Sequence, residues 1–332
     1  MNPKQREDLA DALLAVIRRK PGTPFETDKL ARKLKVTTDE LNAAVLQLAD
    51  WDYRLRHSRR RGVTFVDAPD YLTATEIGWG LKTERIGNVI HAFKTVKSTN
   101  DLAMQLAESG APEGTIVTAE QQTRGRGRLG RSWHSPPGTG IYVSIILRPR
   151  FKPERAPGLS IMTALALAEV INRYCPGETH IKWPNDLLLG NRKAAGILTE
   201  LSADRGRIHH VIVGVGINVN QGVGHFPEGL RDTATSLRRF LKRKVRRVEL
   251  LQRFLRRFER EYAEYRRHGL RKAQARLKRY SSLLGSEVVV RSGPSTIAGT
   301  AADIDRDGRL ILLTPDSRRA ISAGEVTVVK DS

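Results

Sequence analysis

The sequence predicts an α+β protein: a small winged helix-turn-helix at residues 1–67, a weakly patterned linker at 68–86, a central mixed, mostly antiparallel sheet with helices at 87–280, and a small β-barrel at 281–332. Three observations carry this reading. Apolar residues recur at helical spacing in short stretches near the start, strand-like runs dominate the middle with few helices between them, and the tail holds only short alternating runs.

Leu9, Ala12, Leu13, Val16 and Ile17 form one helical stripe, ended by Pro21 and Gly22. Thr27 caps a second helix bearing Leu30, Ala31 and Leu34. Thr37 with Glu40 forms a capping box for a third, bearing Leu41, Ala44, Val45 and Leu48. Two short helices across a tight turn make a helix-turn-helix. Tyr53 and Leu55, then Val63 and Phe65, alternate with polar residues around a turn at 57–62, so a hairpin follows.

The central segment opens with a strand near 89–93, a helix capped by Ser98 or Thr99, and a strand at 115–120. A glycine-arginine loop leads to a strand at 141–147 and a helix at 160–172. Strands follow near 179–182, 186–189, 193–201 and 207–217, with Gly190-Asn191 as a tight hairpin turn. This order places the helices on one side of the sheet. Runs at 288–290, 296–298, 310–313 and 326–329 give the tail its barrel reading.

Hydrophobic residues at 39% and charged residues at 28% are a globular balance, and 332 residues exceed one ordinary core. The single cysteine, Cys175, forms no internal disulfide, and the start of the chain lacks the apolar stretch of a signal peptide. The most apolar run, 161–171, is broken by Glu169 and is shorter than the roughly 20 residues that span a bilayer. Together these point to the cytoplasm and away from membranes. The net charge of +21 suits a polyanionic partner, yet much of it lies at 238–279. There arginines alternate with Leu251, Phe254, Leu255, Phe258 and Tyr262 at helical spacing, which reads as a solvated helix face.

Gly125-Arg126-Gly127-Arg128-Leu129-Gly130 satisfies the G-x-G-x-x-G pattern and, extended to Arg131-Ser132, nearly satisfies the P-loop. Both motifs need a helix directly after the glycines to receive phosphate. Ser135-Pro136-Pro137-Gly138 prevents one, and Arg131 stands where a P-loop has lysine. Anion chemistry remains, because glycines let N–H groups approach an oxyanion and arginines add charge-assisted donors. On composition alone a solvated basic turn fits equally well.

A second cluster is Lys182-Trp183-Pro184-Asn185-Asp186, followed by Arg192-Lys193. Pro184 fixes its own φ and holds Trp183 extended, so a rigid corner presents Asn185 and Asp186 at the start of a strand. A carboxylate and an ammonium then face one pocket. On spacing alone, an Asx turn beside an exposed lysine is the simpler account.

Together these stretches resemble biotin protein ligases, the biotin–[biotin carboxyl carrier protein] ligases, of the bifunctional kind with an N-terminal winged-helix repressor domain. The matching residues are Ser98-Thr99-Asn100, Gln122, Gly125 to Arg131 with Trp133, Lys182 to Asp186, Arg192-Lys193 with Gly196-Ile197-Leu198, and Gly214 to Asn218. Gly308, Leu310, Gly324, Glu325 and Val326 are similar to the family's SH3-like domain, and the resemblance covers nearly the whole chain.

The resemblance implies that biotin and ATP, with Mg²⁺, give biotinyl-5'-AMP and pyrophosphate, and that biotin then passes to a lysine of a biotin carboxyl carrier protein, as in a biotin–[acetyl-CoA-carboxylase] ligase. It also implies biotin-responsive repression at a DNA operator and a homodimer when adenylate is bound. By the same resemblance Ser98, Thr99, Asn100, Gln122, Arg126, Gly127, Arg128, Lys193 and Gly196 hold biotin. Arg128, Arg131, Trp133, Asn185, Lys193 and Asn218 hold ATP. Lys193, Arg128 and Asp186 carry the chemistry, with Asp186 either orienting Lys193 or receiving the incoming amine. No resident metal site is expected.

For DNA, the stretch 38–50 has no Lys or Arg, so only Asn42 and Gln47 can read bases, while Arg59, Arg60 and Arg61 of the wing, with Lys29, Arg32, Lys33 and Lys35, suit phosphates. Two rivals stand beside this reading. A lipoate protein ligase shares the fold and chemistry, but the loop and the Lys-Trp-Pro-Asn-Asp run look like the biotin branch. A biotin-sensing repressor with decayed ligase activity is opposed by the intact loop and Lys193. Asp303-x-Asp305-x-Asp307-Gly308 imitates a calcium loop, but Thr314 replaces the twelfth-position Glu, so a β-turn is expected. His209 and His210 sit on one strand and point to opposite faces, so they do not chelate one metal.

Overall fold

A computed structural model describes residues 1–58, 60–293 and 295–329; Arg59 of the expected wing and the last three residues of the expected C-terminal domain lie outside the described residues. The chain divides into two compact units, 1–70 and 71–332.

The first unit runs α1 (Pro3–Ile17), β1 (Pro24–Phe25), α2 (Thr27–Leu34), α3 (Thr38–Asp50), β2 (Arg54–Ser58) and β3 (Gly62–Asp67). The capping box opens α3 as its sequence dictates: Thr37 N–H donates to Glu40 Oε2 at 2.9 Å, and Glu40 N–H donates to Thr37 Oγ1 at 3.2 Å. The helical stripes converge on a core containing Leu13, Leu14, Ile17, Leu30, Leu41, Leu48 and Phe65. The three strands pair antiparallel in the order β1-β3-β2.

The second unit begins with α4 (Ala74–Gly78), β4 (Ile90–Val96), α5 (Thr99–Glu108), β5 (Ile116–Gln122), β6 (Gly140–Leu147) and α6 (Pro157–Ile171). Next come β7 (Thr179–Lys182), β8 (Asp186–Leu189), β9 (Arg192–Asp204), β10 (Arg207–Asn218), α7 (Leu237–Leu241), α8 (Arg247–His268) and α9 (Gln274–Tyr280). It ends with β11 (Glu287–Ser292), β12 (Ser295–Ile304), β13 (Leu310–Leu313), β14 (Arg318–Ile321) and β15 (Glu325–Val328). The main sheet has seven strands in the order β4-β5-β6-β10-β9-β8-β7, antiparallel except for the β4–β5 pair.

Helices cover both faces of this sheet, not one as expected. Odd-numbered residues Ile141, Val143, Ile145 and Val211, Val213, Val215 join α6 and α8 in the main core, while Ile146 and Ile212 meet Ala103 and Ala107 of α5 on the other face. The centres of β6 and β10 are buried on both sides and mostly apolar, so their near-continuous runs carry little alternation to reveal a second covering helix. α6 is buried almost all round, as its uniformly apolar sequence requires.

Three further expectations are corrected. The stretch at 68–86 is not merely a linker, because Leu72, Ile77, Leu81 and Ile86 enter the main core and α4 lies within it; a five-residue helix is too short to show periodicity. The α8 region is not simply a solvated basic face. Arg247 is 2% exposed and paired with Glu120 at 2.6 Å, and Arg257 and Arg276 bind Glu169 and Glu261. Helical spacing identifies a face but not the distant carboxylates that neutralise it. The tail forms a five-stranded antiparallel sheet in the order β14-β13-β12-β11-β15, without closing into a barrel among the described residues. Its apolar face, including Val288, Val290, Leu310 and Leu312, is covered by the main core, so alternation is satisfied without closure. The Asp303–Gly308 stretch ends β12 and then turns, with Asp305 Oδ1 accepting from the N–H groups of Asp307 and Arg309, each at 2.9 Å.

Candidate active site

One cavity on the α5 face of the sheet is lined by the start of α5, the end of β5, the glycine-arginine loop, Asn185, β9 and β10. Strand alternation explains its floor. Gly214 and Gly216 lie on the same face as Ile212, and side chains there have no room: a Cβ on Gly214 would run into Asn100, and one on Gly216 into the Trp133 indole. Gly196 is equally constrained, its Cβ position lying 3.1 Å from Trp133 and 3.2 Å from Lys193 Cε. The glycines let Trp133 lie flat against the sheet, where its Nε1 is buried with no hydrogen-bond partner among the described residues.

One end of the cavity is lined by the neutral side chains of Thr99, Asn100 and Gln122, with the Glu200 carboxylate accepting from Asn100 Nδ2 at 2.7 Å. Gln122 Oε1 accepts from the Thr99 N–H at 2.8 Å and from the Thr99 hydroxyl at 3.0 Å, and Gln122 Nε2 donates to Ser135 Oγ at 2.9 Å. Ser144 Oγ lies 2.8 Å from Thr99 Oγ1 and 2.6 Å from Asn100 Oδ1. Ser98 caps α5 through the Asp101 N–H. Buried donors and acceptors with neighbours on every side suit a neutral polar head group.

The other end is cationic. Lys193 Nζ sits 2.8 Å from Asp186 Oδ1 and 5.5 Å from the Trp133 ring centroid. Its backbone is fixed on β9, with N–H donating to Thr233 at 2.8 Å and C=O accepting from Thr235 at 2.9 Å. Asn185 Nδ2 donates to Asp186 Oδ1 at 3.1 Å and to the Ile197 carbonyl at 3.0 Å, and Asn185 Oδ1 accepts from Arg128 at 2.6 Å. Arg128 also donates to the Gly324 carbonyl at 3.3 Å. Burial lowers the Arg128 pKa, and the nearby Asp186 and Glu325 only partly offset it. Burial acts the same way on Arg126, but its bonds to Glu200 and Asp101, both 2.7 Å, reverse the effect and raise its pKa. Both guanidiniums remain charged in neutral water.

The loop folds on itself. Gly127 N–H donates to the Arg131 carbonyl at 2.7 Å, Trp133 N–H donates to the Gly125 carbonyl at 2.8 Å, and a single 3-10 turn spans Arg128–Gly130. The next regular element is β6, so neither nucleotide-binding glycine motif is present.

Ser98, Thr99, Asn100, Gln122, Arg126, Gly127, Arg128, Trp133, Asn185, Lys193 and Gly196 thus share one wall. Three expected residues do not. Asp186 lies behind Lys193, which it holds. Arg131 reaches the tail sheet and pairs with Glu325. Asn218 ends β10 two residues past Gly216, about 6.6 Å further along the strand, where its Oδ1 faces Gln221. Sequence reasoning missed Ser144 and Glu200, which both bond Asn100, and Ser135. The missed signals were a lone serine within the apolar run of β6, and period two along β9 from Gly196 to Glu200.

The expected DNA-reading residues are placed differently. Asn42 and Gln47 are half-buried on α3, and Asn42 Oδ1 is buried with no partner among the described residues. Arg60 and Arg61 are exposed. Cys175 is buried, and burial pushes its thiol up to about 11, which leaves it inert at neutral pH.

A lysine braced by a carboxylate, arginines on a glycine loop and a neutral polar pocket in one cavity define a ligase that activates a carboxylate through phosphoryl chemistry. Comparisons with known proteins agree. The biotin/lipoate A/B protein ligase family matches residues 92–218, and the biotin protein ligase C-terminal domain matches 283–329. The bifunctional ligase/repressor BirA of Bacillus subtilis is 38% identical over 274 residues, covering 82% of this chain and 84% of that protein. The bifunctional ligase/repressor BirA of Escherichia coli is 28% identical over 312 residues, covering 91% and 92%. The biotin protein ligase of Aquifex aeolicus, solved with biotin and ATP, superimposes with a TM-score of 0.64 at 30% identity, over 74% of this chain and all of that one. The chain belongs to the biotin protein ligase family.

Proposed function

We propose that this chain adenylates biotin with ATP and transfers it to a lysine of a biotin carboxyl carrier protein. The observation that carries the reading is the cavity's two ends: a hydrogen-bonding pocket around Thr99, Asn100, Gln122 and Ser144, with Arg126 held beside it by Asp101 and Glu200, and a cationic mouth of Lys193 and Arg128. Biotin's ureido ring offers donors and acceptors to the first, and its carboxylate extends to the second. A dithiolane offers these groups no hydrogen bonds, whereas the ureido ring does, which opposes lipoate.

In the first step a biotin carboxylate oxygen bonds to the α-phosphorus while the bond to the leaving pyrophosphate breaks. Two anions must meet, and Lys193 with the loop arginines offsets their repulsion. Asp186 orients Lys193, which favours that role over receiving the amine. Trp133 supplies a flat apolar face for adenine. Arg131 and Asn218 remain candidates for ATP only if the loop and the β10 end rearrange around the nucleotide. In the second step the lysine amine attacks the carbonyl, an amide forms, AMP leaves and the nitrogen loses a proton. Among the described residues the cavity wall carries no carboxylate, and Asp186 is committed to Lys193, so Mg²⁺ is expected on the nucleotide's phosphates.

The first unit, with three helices and a small sheet, serves as a winged helix, and the tail sheet as an SH3-like module. The names of the BirA relatives support a repressor role. The exposed residues of α3 are Thr38, Asp39, Leu46, Ala49 and Asp50, so phosphate contacts by Lys29, Arg32, Lys33, Lys35, Arg60 and Arg61 dominate over base readout. Dimerisation with adenylate bound brings two such units onto one operator. Among the described residues no helix is long and apolar enough to cross a membrane. The single cysteine, free and buried, supports a reducing, cytoplasmic setting.

The test is transfer. The full chain with biotin, Mg-ATP and a carrier domain is expected to produce streptavidin-reactive carrier, absent when the carrier's acceptor lysine is replaced. Deleting residues 1–66 is expected to abolish DNA binding in a mobility-shift assay while leaving transfer measurable; loss of both would show that the first unit is not separable.

A further inference from the structure

The positive charge of this chain also gathers away from the catalytic cavity. Arg85, Arg150, Arg155, Arg266 and Arg267 line, with Phe151, an open cleft of about 520 Å³ that shares no lining residue with the catalytic cavity. They come from three segments: the stretch before β4, the connection after β6 and the last turn of α8. A helix C-terminus favours cations in its last turn, which accounts for Arg266 and Arg267. It does not account for Arg85, Arg150 and Arg155, because drawing like charges together from separate segments is unfavourable until an anion answers them.

The cleft is built rather than fortuitous. Glu259 on α8 accepts from the backbone N–H groups of Glu84, Arg85 and Ile86 at 2.9, 2.8 and 2.9 Å, fixing that stretch to the helix. Arg155 donates to the Tyr265 carbonyl at 2.6 Å and stacks 4.8 Å from the Phe151 centroid and 5.3 Å from that of Tyr265. The internal counter-charge is thin. Glu113 lies 3.6 Å from Arg85 and 3.8 Å from Arg266, and its other oxygen accepts from the Tyr262 hydroxyl at 2.7 Å and the Arg148 N–H at 3.2 Å. Among the described residues Arg150 and Arg267 form no ion pair within 4 Å, and both are exposed.

We propose that this cleft binds a polyphosphate, either free or as the tail of a nucleotide, at a site distinct from the catalytic one. Guanidinium forks match phosphate oxygens in pairs, and several at once require several closely spaced charges. A nucleobase, if attached, meets the half-buried Phe151 ring.

Isothermal titration of inorganic tripolyphosphate and, separately, of GTP into the full chain tests this, beside Arg150→Gln/Arg267→Gln and Lys193→Ala variants. Tripolyphosphate affinity is expected to fall roughly tenfold or more in the double variant, which loses charged hydrogen bonds, and to persist in Lys193→Ala. Thermal melting of the double variant should match wild type. GTP binding tighter than tripolyphosphate, and lost with it, identifies a nucleotide as the source; equal binding identifies a free polyphosphate. Unchanged affinity in the double variant, or a loss confined to Lys193→Ala, overturns the proposal. Because the Lys193→Ala arm separates the two cavities, failure here leaves the ligase reading standing.

Discussion

The cations of the active site are held in two different ways. Lys193 stands on β9, its backbone bonded on both sides and its ammonium braced by Asp186. Arg126 and Arg128 stand on a loop and end on Asp101 and Glu200, and on Asn185 and Gly324, while Arg131 of the same loop lies outside the cavity and pairs with Glu325. The strand gives a fixed charge, which costs no reorganisation when phosphoryl charge develops. The loop gives charges that can exchange internal partners for a ligand, which is what shielding a reactive adenylate requires. The strand cation serves the chemistry alone, whereas the loop cations share in offsetting phosphoryl charge and also retain the product.

Substitutions should separate these roles. Lys193→Ala is expected to slow adenylate formation by about 10²- to 10³-fold with the fold intact, the usual loss for one preorganised donor. Rapid-quench assay of adenylate measures it, and a wild-type rate would reduce Lys193 to a surface residue. Arg128→Gly removes the bonds to Asn185 and Gly324, so adenylate should still form but escape and label unrelated lysines. Mass spectrometry of bystander proteins reads this out; full retention of adenylate would show that the loop is no lid. The Arg131–Glu325 pair is two-thirds exposed on the arginine side, so Glu325→Ala should change adenylate release only a few-fold, in line with about 0.2–1 kcal/mol for such pairs. A change as large as that of Arg128→Gly would make the tail sheet an equal partner in holding the loop.

Much of this was legible in the sequence because it is encoded locally. Thr37 and Glu40 lie three residues apart, and the loop glycines sit together with the proline run that bars a following helix. What was not legible depends on distant partners. Glu200 reaches Asn100 across a hundred residues of chain, and Arg247 is buried against Glu120, which waits on β5. The second layer on the sheet was hidden for another reason. β6 and β10 are buried on both faces at their centres, so the period-two contrast between covered and exposed residues vanishes where the fold most needs it. The open tail sheet follows the same logic, since alternation marks a covered face and says nothing of what covers it.

Mixing the full chain with Mg-ATP and, separately, biotin, lipoate or octanoate, then detecting acyl-adenylate by mass, tests the two-ended cavity most directly. The neutral pocket and the Lys193 end together predict biotinyl-5'-AMP and no appreciable adenylate from the other two acids. Adenylate from lipoate alone would contradict the assignment.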